Sequence, residues 1–127
     1  MSALILDAGA LIAVDRGDRA VIARLRAAKE HALDLRTTAI VVGQVWRDPL
    51  GRQASLAQLL RRVDVRPVDE RLGRDSGVLV GRAGTSDPID ATVVLIAEPG
   101  DRILTSDPDD LRLLAAAAGA RVAVIAC

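Results

Sequence analysis

Short apolar runs alternate with longer segments of helical periodicity along the whole chain, and this alternation is the feature that most restricts its fold. The first run covers residues 3–6 and the last covers residues 121–125. Parallel strands need crossover connections of a dozen or more residues, which are usually helices. The alternation therefore predicts an α/β fold in which helices cover a mostly parallel sheet.

The predicted elements follow the order β-α-α-β-α-α-β-α-α-β-α-β. Strands are predicted at residues 3–6, 33–35, 63–68, 102–104 and 121–125. Helices are predicted at residues 8–14, 19–29, 52–62 and 70–82, and in three further segments that have clear caps. The first of these has Thr37 or Thr38 as its N-cap and ends by Asp48. The second has Ser86 as its N-cap and begins at Asp87. The third runs from Ser106 or Asp107 to residue 118.

Length and apolar content predict one domain, residues 1–127, with an aliphatic core. One domain is usual at this length, and half of the residues are hydrophobic, almost all of them Ala, Val, Leu and Ile. Trp46 is the only aromatic residue, and its apolar helical position predicts a core role. The lack of aromatics argues against a platform of exposed rings that stacks successive bases of a single strand.

Charge and cysteine content restrict the partners and the compartment. With 17 basic and 17 acidic residues, any attraction for nucleic acid must come from a local patch. Cys127 is the only cysteine, which excludes a disulfide framework and is consistent with the cytoplasm. No apolar stretch approaches a membrane span. The apolar N-terminus contains Asp7 and lacks a basic n-region, so it predicts a buried strand instead of a signal peptide.

Acidic residues recur at the predicted carboxyl ends of the strands, where open α/β sheets bind their ligands. Asp7 follows the first strand, Asp107 follows the fourth, and Asp87 and Asp90 share one face of a helix. Carboxylates gathered at one edge repel one another unless a cation lies between them. Oxygen ligands suit Mg²⁺ or Mn²⁺, and paired ions support phosphodiester cleavage.

Each of these acids also has a structural interpretation. Asp87 and Asp107 stand at positions where helix caps are common. The negative charge of Asp90 would interact favourably with the dipole of its helix. Asp109 and Asp110 are expected to be first-turn charges of the last helix. A purely structural role explains Asp7 least well, because an unpaired charge at a buried strand end is costly.

Four segments together resemble the PIN-domain family. LILDAGALIA is similar to the start of a PIN domain, and VVGQVWRDP to the segment that carries the second acid of the family. GTSDPIDATVVLIA resembles the third-acid segment, and ILTSDPDDL resembles the closing motif. The resemblance extends over essentially the whole chain, and within the family it points to toxin ribonucleases of the VapC type.

The resemblance implies a PIN-like three-layer α/β/α sandwich and an Mg²⁺- or Mn²⁺-dependent endoribonuclease that cuts RNA with metal-activated water. It also implies a toxin of a type II toxin–antitoxin (VapBC) system, a VapB-type antitoxin as partner, and a homodimer. The metal-binding and catalytic acids would be Asp7, either Asp87 or Asp90, and Asp107. Thr105 or Ser106 would be a polar neighbour of Asp107.

Gln44 departs from the family pattern, because many members have Glu there. An amide oxygen can still coordinate a cation, but it brings no charge and cannot act as a base. A catalytically silent PIN-like module that binds RNA or protein is therefore the alternative. A phospho-accepting receiver domain is disfavoured, because the only lysine, Lys29, lies in an early helix. Arg47 is the candidate phosphate contact.

Overall fold

The computed structural model describes residues 2–127, which form a parallel sheet with helices on both faces. Within that range the strands are β1 (Ala3–Leu6), β2 (Asp34–Thr38), β3 (Val63–Arg66), β4 (Arg102–Thr105) and β5 (Ala123–Ala126). The helices are α1 (Ala8–Asp15), α2 (Arg19–Glu30), α3 (Ala39–Val45), α4 (Ala54–Leu60), α5 (Glu70–Ala83), α6 (Pro88–Leu95) and α7 (Pro108–Ala118). A short 3-10 turn, Pro49–Gly51, joins α3 to α4.

The strand order is β3-β2-β1-β4-β5, and all neighbouring strands are parallel. The chain first moves outward from β1 to β3 and then crosses to β4 and β5. Because crossovers between parallel strands are right-handed, the two directions put helices on opposite faces of the sheet. The α/β class and the α/β/α sandwich with a central parallel sheet are thus confirmed.

An aliphatic core fills both sides of the sheet, as the composition predicts. Ile5 lies beside Ile103 in the strand register, and Leu6 lies beside Leu104. All four side chains have exposed fractions of 0%. The core of this fold therefore depends on Leu, Ile and Val in the two central strands, which are covered on both faces.

Several predicted boundaries differ from the structure, and three of the differences have a clear physical reason. β2 continues to Thr38, because Thr37 and Thr38 pair with Val65 and Arg66 of β3. β3 ends at Arg66, because the following Pro67 has no N–H to continue a ladder. The predicted cap Ser86 is wrong: Asp87 is the N-cap of α6, and its Oδ1 accepts from Ile89 N (2.8 Å).

A buried ion pair anchors the other end of the sheet. Asp101 is 1% exposed and accepts hydrogen bonds from Ala3 N (2.8 Å), Glu98 N (2.8 Å) and Arg36 Nη1 (3.2 Å). These contacts join the starts of β1 and β4 to the middle of β2. Along residues 2–127, no helix is long and apolar enough to cross a membrane.

Candidate metal centre

The acidic residues gather where the strand order reverses direction. β1 connects onward towards β2, whereas β4 connects towards β5, so the topological switch point lies between the carboxyl ends of β1 and β4. Open α/β sheets bind their ligands in the crevice at such a point. Asp7 directly follows β1, and Thr105 ends β4. The topology therefore brings the two ends of the sequence together at the position in the sheet where ligands usually bind.

Asp7 lies at the base of this crevice and is 3% exposed. Its Oδ1 accepts from Ala10 N (3.0 Å), which caps α1, and its Oδ2 accepts from the Thr105 hydroxyl. Burial raises the pKa of Asp7 above its ordinary value, although the Thr105 hydroxyl and nearby backbone N–H groups oppose the rise. Asp7 is thus a buried carboxylate that is held in position by hydrogen bonds to both of its oxygens.

Thr105 orients two of the predicted site residues at once. Its hydroxyl donates to Asp7 and accepts from Asp107 N (2.8 Å). The Asp107 side chain makes no capping hydrogen bond to α7, so its carboxylate is free of that structural role. The neighbouring Ser106 packs against Gly9, where an added Cβ would lie 1.9 Å from Ser106 Oγ. Only glycine lets α1 approach the β4–α7 connection this closely.

Three carboxylates form a cluster at the mouth of the crevice. Asp90, Asp107 and Asp110 each offer one oxygen, and these oxygens all lie within 4.8 Å of one another. Asp90 and Asp110 are half-buried, whereas Asp107 is exposed. The cluster joins the first turn of α6 to the first turn of α7.

The neighbouring charges change the acidity of the cluster. Burial together with the charges of Asp87, Asp7, Asp107 and Asp110 raises the pKa of Asp90 to about 7. The pKa of Asp110 is also raised, mainly by the adjacent Asp107 carboxylate. Like charges this close resist ionisation together, and a bound cation would remove the repulsion.

The two acids between which the sequence could not choose have different surroundings. Asp87 caps α6, and its Oδ1 accepts from Ile89 N (2.8 Å) and Asp90 N (3.4 Å). Asp90 instead contributes its oxygen to the cluster with Asp107 and Asp110. The geometry therefore favours Asp90 as a ligand and gives Asp87 a capping role close to it.

Gln44 and Arg47 lie farther along the chain, on α3 and just after it. α3 begins at the cap Thr38, whose hydroxyl contacts the Thr92 hydroxyl of α6 (3.0 Å). Gln44 is half-buried in the last turn of α3. Arg47 is exposed, and its Nη1 donates to Gly43 O (3.1 Å) and Trp46 O (2.8 Å). The structure thus links α3 to the helix that carries Asp90, while Arg47 remains outside the carboxylate cluster.

Asp110 is the cluster member that sequence reasoning missed, because it was interpreted as a first-turn charge. A signal was present: Asp110 follows Asp107 by three residues, and this spacing places two side chains on one helix face. The donors of the cluster are all carboxylate oxygens, which suit a hard cation such as Mg²⁺ or Mn²⁺. Separations of up to 4.8 Å suit an ion that keeps part of its water shell.

Comparisons with known proteins do not identify a family for this chain. No protein-family model matches the chain, and no curated protein matches it.

Proposed function

We propose that this protein is an Mg²⁺- or Mn²⁺-dependent endoribonuclease of the PIN type, acting as the toxin of a VapBC-like toxin–antitoxin system. One observation carries the proposal: three carboxylates cluster after the carboxyl end of β4, close enough to the buried Asp7 for its charge to act on Asp90. This arrangement is consistent with the acids that the family resemblance implies, which are Asp7, either Asp87 or Asp90, and Asp107.

The donor set fits a divalent cation. Asp90, Asp107 and Asp110 would hold it. Burial is the main cause of the raised pKa of Asp90, and the ion would relieve the charge repulsion that adds to it and that raises the pKa of Asp110. When bound, such an ion polarises a phosphodiester and makes water a better nucleophile at neutral pH. The hydrogen bonds of Thr105 would hold Asp7 and the backbone of Asp107 in fixed relative positions during the reaction.

RNA is the proposed substrate because the charges are unevenly distributed. Residues 44–84 contain eight arginines and five acids, although the whole chain is neutral. A segment with an excess of arginine favours contact with phosphates. Arg47 is exposed and is the first arginine of this segment.

The remaining parts of the proposal rest on the family resemblance. They are a VapB-type antitoxin as partner, a homodimer, and action in the cytoplasm. A monodisperse monomer at micromolar concentration would argue against the homodimer.

The direct test is cleavage of a pool of tRNA and rRNA by the purified protein in Mg²⁺, Mn²⁺ or EDTA. We expect cuts at a limited set of sites with either metal and none in EDTA. Asp107→Asn should abolish cleavage. Asp109→Asn is the matched control, because Asp109 is two residues away with its side chain 93% exposed. Equal cleavage by wild type and Asp107→Asn would reject the proposal.

The silent binding module is the second candidate, and Gln44 is the observation that favours it. A folded protein that binds Mn²⁺ but cuts no RNA would support this alternative. Gln44→Glu then provides a further test, because the family resemblance implies an acid at this position and a carboxylate there should tighten metal binding and allow cleavage.

A further inference from the structure

A shallow, open cleft lies between the C-terminal parts of α3 and α4, and it includes none of the clustered carboxylates. Its volume is about 390 Å³, within the range of clefts that take small ligands. Its lining residues are Val42, Trp46, Ala57, Leu60 and Arg61. The cleft thus combines one aromatic side chain, aliphatic neighbours and one cation.

Trp46 occupies this cleft in an unusual way for the only aromatic residue of the chain. It packs partly against the hydrophobic core, yet it also lines the open cleft. The expected core role is therefore only part of its environment. Because the core side holds the indole in place, a flat partner could stack on the open side at low entropic cost.

The charges around the cleft are positive. Arg61 lines it from the C-terminal end of α4 and is exposed. Arg47 follows Trp46 directly, and its Nη1 is fixed on Trp46 O and Gly43 O, so the other guanidinium N–H groups remain available. None of the described residues that line the cleft is acidic. A ligand that matches these features has a flat apolar ring and an anionic group.

We propose that this cleft binds one unpaired nucleotide of an RNA strand, with its base on Trp46 and its phosphate at Arg61. Stacking on an indole combined with a nearby arginine is how single-stranded nucleic acid is commonly held. A single ring serves one base, so the proposal agrees with the lack of a multi-ring platform.

The cleft is close enough to the carboxylate cluster for one strand to reach both. α3 begins at Thr38, which contacts Thr92 two residues beyond Asp90. Trp46 ends the helix eight residues later, which is about 12 Å along its axis. The inference rests on the proposed function in taking RNA as the ligand, and it adds a binding position outside the reacting centre.

The first test uses the intrinsic fluorescence of the protein, which comes from Trp46 alone because the chain has no other tryptophan and no tyrosine. Full-length protein is titrated in EDTA with a short single-stranded oligoadenylate and with a duplex RNA of equal length. We expect saturable quenching by the single strand and much weaker quenching by the duplex. Absence of quenching by the single strand would overturn the proposal.

Variants separate stacking from general charge attraction. Arg61→Gln should weaken oligoadenylate binding at least about fivefold, whereas Arg121→Gln removes the same charge from an exposed distant position and should leave it unchanged. Trp46→Leu should weaken the binding of a fluorescently labelled oligoadenylate, followed by anisotropy, at least about fivefold. Equal losses in Arg61→Gln and Arg121→Gln, or quenching that depends on protein concentration instead of RNA, would reject a nucleotide site.

Failure of this inference is distinguishable from failure of the proposed function. Metal-dependent cleavage without Trp46 quenching removes the nucleotide cleft and leaves the nuclease standing. Quenching in EDTA by a protein that cuts no RNA in Mg²⁺ or Mn²⁺ keeps the cleft and removes the nuclease.

Discussion

The Thr105 hydroxyl donates a hydrogen bond to Asp7 Oδ2 and thereby joins the carboxyl ends of β4 and β1. The same hydroxyl accepts from Asp107 N, so one buried threonine orients two acids that are 100 residues apart in the sequence. Five specific expectations follow from this site and from the ion pair at the opposite edge of the sheet.

Asp7→Asn should reduce metal-dependent RNA cleavage at least about a hundredfold while preserving the fold. Asn has the same shape and can still accept from Ala10 N, and burial already disfavours the Asp7 charge by raising its pKa. The thermal midpoint should therefore stay the same or rise. Cleavage and thermal unfolding are measured on the same preparation, and a folded Asp7→Asn protein with full activity would contradict the assignment.

Asp110→Asn should weaken Mn²⁺ binding about tenfold or more, because it removes one of three clustered charged donors. Asp109→Asn is the neighbouring control, since the Asp109 side chain points to solvent and only approaches Arg112 (3.6 Å). Isothermal titration calorimetry measures the Mn²⁺ affinity of both variants. Equal affinities for the two variants would mean that Asp110 is not a ligand.

The metal-free protein should lose stability as the pH rises from about 4 to about 7. The pKa of Asp90 is raised to about 7 in the fold from 3.8, so the folded state binds more protons in this window. That contribution is fully present below pH 3.8 and disappears as the pH passes 7. Asp7 acts with the same sign.

This pH dependence is measured as urea unfolding of wild type and Asp90→Asn in EDTA. Wild type should lose about 1–2 kcal/mol relative to Asp90→Asn across the window, less than the full shift implies because Asp90 is only half-buried. Saturating Mg²⁺ should reduce the difference. A stability difference that is independent of pH would show that Asp90 titrates normally.

Gly9→Ala should destabilise the protein by about 1–3 kcal/mol and impair metal binding. The added Cβ would lie 1.9 Å from Ser106 Oγ and 2.4 Å from Ser106 Cβ, so the β4–α7 connection must move. Ser106→Gly removes both atoms and should restore much of the loss in the double variant. A double-mutant cycle by chemical denaturation checks this, and additive effects would argue against the close contact.

Asp101→Asn should destabilise the fold by about 2–4 kcal/mol without changing metal affinity, because it leaves the buried Arg36 guanidinium uncompensated. Asp64→Asn is the control, since the Asp64 side chain is 50% exposed and approaches Arg36 Nε only at 3.6 Å. Its effect should stay below about 1 kcal/mol. Comparable losses from the two variants would mean that the buried pair contributes little.

The layered fold could be predicted from the sequence because it depends on patterns within short segments, such as apolar periodicity and helix caps. The N-cap of α3 was predicted as Thr37 or Thr38 from residue type, and the Thr38 side chain accepts from Val41 N. Ser86 failed as a cap because Ser and Asp compete at adjacent positions, and only the three-dimensional chain path decides which side chain reaches Ile89 N.

The candidate site was predictable only in part. Asp7, Asp107 and the pair Asp87 and Asp90 could be chosen because strand ends and helix spacing are local features. The membership of Asp110 depends on how α6 and α7 approach each other, and the Arg36–Asp101 pair joins residues 65 apart. Such long-range partners leave no periodic signal in one sequence.

The contact between Asp7 and Thr105 spans 98 residues, and this has a consequence for biosynthesis. A ribosome makes Asp7 early, but its partner emerges only after β1, β2, β3 and six of the helices have been translated. A nascent or prematurely terminated chain therefore lacks Thr105, Asp107 and Asp110 altogether. Any RNA-cutting activity would begin only after Thr105, Asp107 and Asp110 have been made, and this order would protect the ribosome and its message from shorter nascent chains.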